Sequence, residues 1–123
     1  MTAEREFTEE EANDLLPALS ESLRQIQQAR EVILAGAEHF RRSASLDGGG
    51  QISQEYWNAL QDMRKHLEAF ADQGIILRDA ESGLVDFPAR RDGRDVFLCW
   101  RLGEDQVGYW HPPETGFSGR RPL

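Results

Sequence analysis

Apolar residues recur in steps of three and four through the first half of the chain. Leu16, Leu19, Leu23, Ile26, Ile33, Ala37 and Phe40 form one stripe, with Arg30 at the position it misses. Such spacing, held over several turns, predicts a long amphipathic helix. Phe7-Thr8-Glu9-Glu10-Glu11 reads as its start: Thr8 and Glu11 make a capping box, and Phe7 with Ala12 a hydrophobic staple. Pro17 stands where its ring clashes with the preceding turn. The prediction is therefore a short helix near 8–16, kinked or broken, and a long one from 17 to about 42. Ser43 to Gly50 reads as a linker that reverses the chain on three glycines. Ser53 caps a second helix with a stripe at Tyr56, Leu60, Met63, Leu67 and Phe70, and Gly74 ends it.

After Gly74 the period becomes two. Strands are expected over 74–78, 84–90, 95–102 and 106–111, with turns at Asp79–Gly83, Asp92-Gly93 and Gly103–Asp105. A two-residue turn at Asp92-Gly93 pairs Arg91 with Arg94, Phe87 with Leu98, Asp86 with Cys99 and Val85 with Trp100. A two-residue turn at Glu104-Asp105 pairs Leu102 with Val107, Trp100 with Tyr109 and Leu98 with His111. One face then holds Ile75, Leu77, Val85, Phe87, Ala89, Val96, Leu98, Trp100, Leu102, Val107, Tyr109 and His111. Two independent turns that agree on one apolar face are the mark of a specified register. The expected fold is α+β: a long antiparallel helical hairpin (1–74) packed on a small four-stranded antiparallel β-meander (75–111), with an irregular tail (112–123), all one domain. The outer face keeps Ile76, Leu84, Phe97, Cys99 and Trp110, which is too apolar for a wet surface. The tail, a partner subunit or a ligand is expected to cover part of it.

The strings Gly83-Leu-Val-Asp-Phe-Pro88, Leu98-Cys-Trp-Arg-Leu-Gly-Glu104 and Tyr109-Trp-His111, with the opening around Phe7 to Pro17, resemble the bacterial domain of unknown function 2203 family. The likeness covers nearly the whole chain, without departure from the pattern. It implies a single small domain with a helical part and a motif-bearing C-terminal part. It implies no activity and no catalytic residue.

Composition narrows the classes. The chain has 123 residues, 39% hydrophobic and 29% charged, as a globular domain does. One Cys excludes a disulfide framework. No apolar run spans a membrane, and the start lacks the basic and apolar regions of a signal peptide, so the cytoplasm is expected. The net charge is −8, and it is uneven: residues 1–74 carry 14 acids and 7 bases, residues 75–123 carry 8 and 7. This argues against nucleic acid and anionic membranes as partners, except at the C-terminal half.

That half holds the candidate chemistry. Asp86, Cys99, Glu104 and His111 are metal-ligand types, but a site needs three or four of them to converge. In the register above His111 faces away from Asp86 and Cys99, and Glu104 sits in an edge turn. A one-residue slip would bring His111 opposite Phe97, onto the Cys99 face, and bury Trp110 in place of Tyr109. Without the slip, Cys99 reads as a small hydrophobe, Asp86 pairs diagonally with Arg101, and His111 is a core histidine on a backbone carbonyl. Asp62 with His66, and Glu38 with His39, read as solvated helix faces. Arg90, Arg91 and Arg94 around one turn, with Arg120 and Arg121 in the tail, suggest an anion surface that interleaved acids weaken. The broad apolar faces of both helices favour a homodimer through the helices. The leading expectation is a non-catalytic binding or assembly module, with no cofactor or metal. Its surface for an unidentified protein or small-molecule ligand would comprise Asp86, Phe97, Cys99, Arg101, Trp110 and His111. The alternative is a metal- or thiol-dependent enzyme centred on Cys99, His111 and Asp86.

Overall fold

The computed structural model describes residues 5–47 and 53–123. Two helices and one antiparallel sheet make an α+β fold. Helix α1 runs Glu9–Asp47 without a break. Its capping box forms as expected: the Glu11 N–H donates to Thr8 Oγ1 at 3.0 Å, and the Thr8 N–H to Glu11 Oε1 at 2.9 Å. These bonds hold the Glu11 carboxyl below its ordinary value.

The expected break at Pro17 does not occur. Ala12 and Leu16 before it, and Leu19, Leu23 and Ile26 after it, are all buried in one core. Burial on both sides holds the axis through a proline that costs about 3 kcal/mol in a free helix. The helix also runs five residues beyond the expected end, into the segment read as a linker. The three linker glycines lie outside the described residues.

Helix α2 spans Gln54–Gln73, with Ser53 Oγ accepting from the Tyr56 N–H and Gly74 closing the end at φ +79°. The Ile75 N–H bonds to the Phe70 carbonyl and that of Gly74 to Ala71, a Schellman-type stop that only an αL residue allows cheaply. The buried seam is Ala59 and Phe70, with Met63 packed beside it, and Leu67 of the predicted stripe is 40% exposed. The two helices touch where Gly36 meets the Tyr56 ring.

The sheet has five strands, not four: β1 Ile76–Asp79, β2 Leu84–Arg91, β3 Arg94–Arg101, β4 Tyr109–His111 and β5 Arg121–Pro122, side by side in that order. The β2–β3 pairing follows the Asp92-Gly93 turn as expected, from Arg91 with Arg94 to Val85 with Trp100. Asp92 takes φ +53° and Gly93 +77°, the two positive values a type I′ turn requires. The tail is not irregular. After a 3₁₀ turn at Phe117–Gly119 it pairs with β4, Tyr109 with Pro122 and Trp110 with Arg121.

The β3–β4 register differs from the expectation by one residue. The observed pairs are Phe97 with His111, Leu98 with Trp110 and Cys99 with Tyr109. No two-residue turn forms at Glu104-Asp105. Instead Val107 leaves the ladder and is fully buried, its N–H donating to Asn13 Oδ1 of α1 at 2.7 Å. The Trp100 indole N–H donates to the Glu104 carbonyl at 3.0 Å, and Glu104 Oε1 accepts from the Arg101 N–H at 2.8 Å. A loop over 102–108 thus replaces the tight turn, and β4 re-enters with its parity reversed. Because strand side chains alternate, every β4 residue changes face. Trp110 packs against the helix-facing core, and Tyr109 and His111 join the outer face.

Candidate metal centre

The reversed parity assembles three side chains that the expected register keeps apart. Asp86 on β2 stands directly across from Cys99 on β3. His111 on β4 is paired with Phe97, two residues along β3 and on the same face. All three are at most 1% exposed, and one ligand atom from each lies within 4.8 Å of the others. At about 2.0–2.3 Å per ligand bond, donors around a tetrahedral ion stand about 3.3–3.8 Å apart, so closure needs movements of about 1 Å.

The hydrogen bonds fix which atoms are available. His111 Nδ1 lies 2.8 Å from the Pro112 carbonyl oxygen. That oxygen can only accept, so Nδ1 carries a hydrogen and Nε2 is turned inward. Nε2 lies 3.0 Å from Asp86 Oδ2. A histidine whose outer N–H is held by a backbone carbonyl is the usual arrangement of a metal-ligating imidazole. Arg78 Nε donates to the same Oδ2 at 2.8 Å. Asp86 Oδ1 is buried and has no hydrogen-bond partner. A carboxylate oxygen stripped of water without a partner carries a desolvation cost of roughly 1–3 kcal/mol or more.

Cys99 completes the set. Burial, and then the negative charge of Asp86, push its thiol up to about 12, with Arg120 opposing them. A thiol held protonated and out of solvent is a poor nucleophile. Such a thiol can still ligate a metal, because a bound cation would supply the charge that releases the proton.

The covering layer is thin and basic. The Phe97 ring lies 5.5 Å from His111, with the Arg78 guanidinium 5.0 Å above Phe97. Arg120 reaches back from the tail onto both Glu104 oxygens, at 2.8 and 3.0 Å, and stacks 3.9 Å over Tyr109. The tail is thus part of the cover expected over the apolar outer face.

Of the six residues expected to form a surface, Asp86, Cys99, Phe97 and His111 come together. Trp110 does not; it faces the other way. Arg101 is exposed and stacks over Phe117 at 5.2 Å, so the diagonal Asp86–Arg101 pair is replaced by Asp86–Arg78. Glu104 is spent on Arg120 and the Arg101 N–H and stays outside the centre. The sequence does not give the roles of Arg78, Pro112 and Arg120 around this cluster. Arg78 was readable as an outer-face residue, but its partner depended on which strand lay beside β2.

A model of one protein family, described as "Uncharacterized conserved protein (DUF2203)", matches residues 5–123. No curated protein and no solved structure matches the chain. Among the described residues no helix is long and apolar enough to cross a membrane.

Proposed function

The chain belongs to the DUF2203 family, and we propose that it is a non-catalytic binding domain whose ligand is a divalent transition metal of the zinc class. The carboxylate of Asp86, the thiolate of Cys99 and Nε2 of His111 are the ligands. Sulfur and imidazole donors suit such an ion and disfavour magnesium or calcium. The observation that carries the reading is the convergence of three buried ligand atoms within 4.8 Å of one another, beside an imidazole locked with Nε2 inward. Burial of all three side chains supports a binding role and gives no support to thiol catalysis. A reducing cytoplasm is the setting we assign, supported by the lone unpaired Cys99.

Elemental analysis after purification and dialysis against zinc is the test. About one equivalent per chain is expected, falling below about a tenth in Cys99→Ser. Cobalt in place of zinc should give a thiolate-to-metal charge-transfer band that the same variant lacks. Zinc that stays substoichiometric in the folded wild-type protein overturns the proposal. It would leave a second reading, supported by the Arg78 and His111 bonds to Oδ2, in which the three side chains are a buried polar network that only fixes strand register.

We further propose that the helices form an antiparallel hairpin and that two copies pair through them. The contact of Gly36, in the C-terminal third of α1, with Tyr56 near the start of α2 supports the first. Exposed Leu34, Phe40 and Trp57 on the same part of the helices support the second.

A further inference from the structure

Three arginines that the metal centre does not use meet at the other side of β4. Arg91 and Arg94 flank the Asp92-Gly93 turn and are cross-strand partners. Arg121 of β5 is the partner of Trp110. The tail strand therefore brings a third guanidinium to the turn, which the chain order alone does not. Arg91 and Arg121 both stack on the Trp110 ring, at 5.0 and 5.2 Å. None of the three has a carboxylate within 4.0 Å among the described residues, in a chain with a net charge of −8.

Their arrangement costs stability as it stands. Like charges directly across a strand pair repel, and Arg91 with Arg94 is such a pair. Asp95, next to Arg94 in the chain, lies 3.8 Å from Arg90 instead. Stacking on Trp110 orients two guanidinium planes and leaves their N–H edges free for a second partner. The three side chains and Trp110 line one cavity of about 680 Å³, walled by Pro112 and Pro113. That volume is in the range of small-molecule sites.

We propose that this cavity binds a small phosphomonoester carrying a flat aromatic or heteroaromatic group. The dianion sits among Arg91, Arg94 and Arg121, and the flat group lies against Trp110 and the prolines. Guanidinium forks match tetrahedral oxyanions with paired N–H donors. Asp92, Asp95 and Glu114 also line the cavity and balance the three arginines in formal charge. A compact dianion is therefore held by paired guanidinium N–H donors rather than by excess charge, and an extended polyanion is opposed.

Phenyl phosphate is the probe, with inorganic phosphate and benzoate as separate arms at constant ionic strength. Tryptophan fluorescence, in wild type and in Trp110→Phe, reports occupancy. Saturable binding of phenyl phosphate is expected, tighter than either arm alone, with the quench lost in Trp110→Phe. Arg94→Gln and Arg121→Gln, both exposed and remote from the core, should each weaken it about tenfold while leaving the melting temperature within a few degrees. Equal affinity for benzoate would make the site one for carboxylates and overturn the phosphate assignment. No saturable binding of phenyl phosphate, or binding unchanged in the double arginine variant, overturns the site itself. So does preferential binding of a single-stranded oligonucleotide with a steep salt dependence. Metal content is unaffected by these variants, so the result is independent of the metal proposal.

Discussion

A thiol that ionises with difficulty makes the fold sensitive to alkali in a calculable direction. In the folded, metal-free protein the Cys99 thiol is pushed from an ordinary 9.0 up to about 12, chiefly by burial. The fold thus prefers the protonated form. That preference contributes its full stability below pH 9 and is lost as pH rises through 9 toward 12. The loss is on the order of 4 kcal/mol at the upper end, a large fraction of a small domain's total. Chemical denaturation of chelator-treated protein should show a midpoint that falls progressively above pH 9. In Cys99→Ala the fall should be shallower, because no thiolate need be buried. Bound zinc would hold the thiol ionised, and this sensitivity to alkali would disappear. An equal alkaline loss in wild type and Cys99→Ala would mean that the thiol is hydrated in solution and the site open.

At the scale of elements, the loop over 102–108 decides where His111 points. The Val107 N–H has its partner in Asn13, 94 positions earlier on α1. Asn13→Ala leaves that N–H unpaired beside the core, and a cost of about 1–3 kcal/mol is expected in thermal or chemical unfolding. If the bond also holds the β4 parity, zinc affinity should fall in the same variant although no ligand has changed; retention of full affinity would show that β5 pairing alone keeps β4 in place. This is where sequence reading reached its limit. The β2–β3 register was legible because Asp92-Gly93 dictates its own turn type and the flanking alternation agrees with it. The helix ends at Thr8, Ser53 and Gly74 were legible because each cap is a local hydrogen-bond problem. The β3–β4 register was not, since a side chain on another element competes for the loop's backbone and lengthens it by tertiary bonding. The two-residue strand β5 has no period to read. The Asp86–Cys99 pair followed from the first register, so two thirds of the candidate metal centre was visible. His111 joined it only through a slip that local turn chemistry does not favour.

The whole molecule is lopsided. Helix α1 has 39 residues and α2 has 20, while among the described side chains of α1 the last buried one is Ala29. Leu34 at 53% exposed, Phe40 at 36% and Trp57 at 51% stand on the part of the helices that the sheet does not cover. A helix end that packs on one neighbouring helix alone has limited tertiary support, and further burial of its apolar residues would add to it. The second copy proposed above would bring the same apolar residues in a self-complementary, two-fold arrangement. The charge works against this. Residues 1–74 carry a net −7, from 14 acids and 7 bases, and two such surfaces repel. Salt screens that repulsion over a Debye length of about 10 Å at 0.1 M but does not weaken apolar burial. Association is therefore expected to strengthen, not weaken, as sodium chloride rises from about 0.05 to 0.5 M. Sedimentation equilibrium should give a dimer whose dissociation constant falls over that range, and Leu34→Ser with Trp57→Ser should return it to monomer. A wild-type chain that stays monomeric at high salt, or a dimer that salt dissociates, would assign those exposed side chains to something other than self-association.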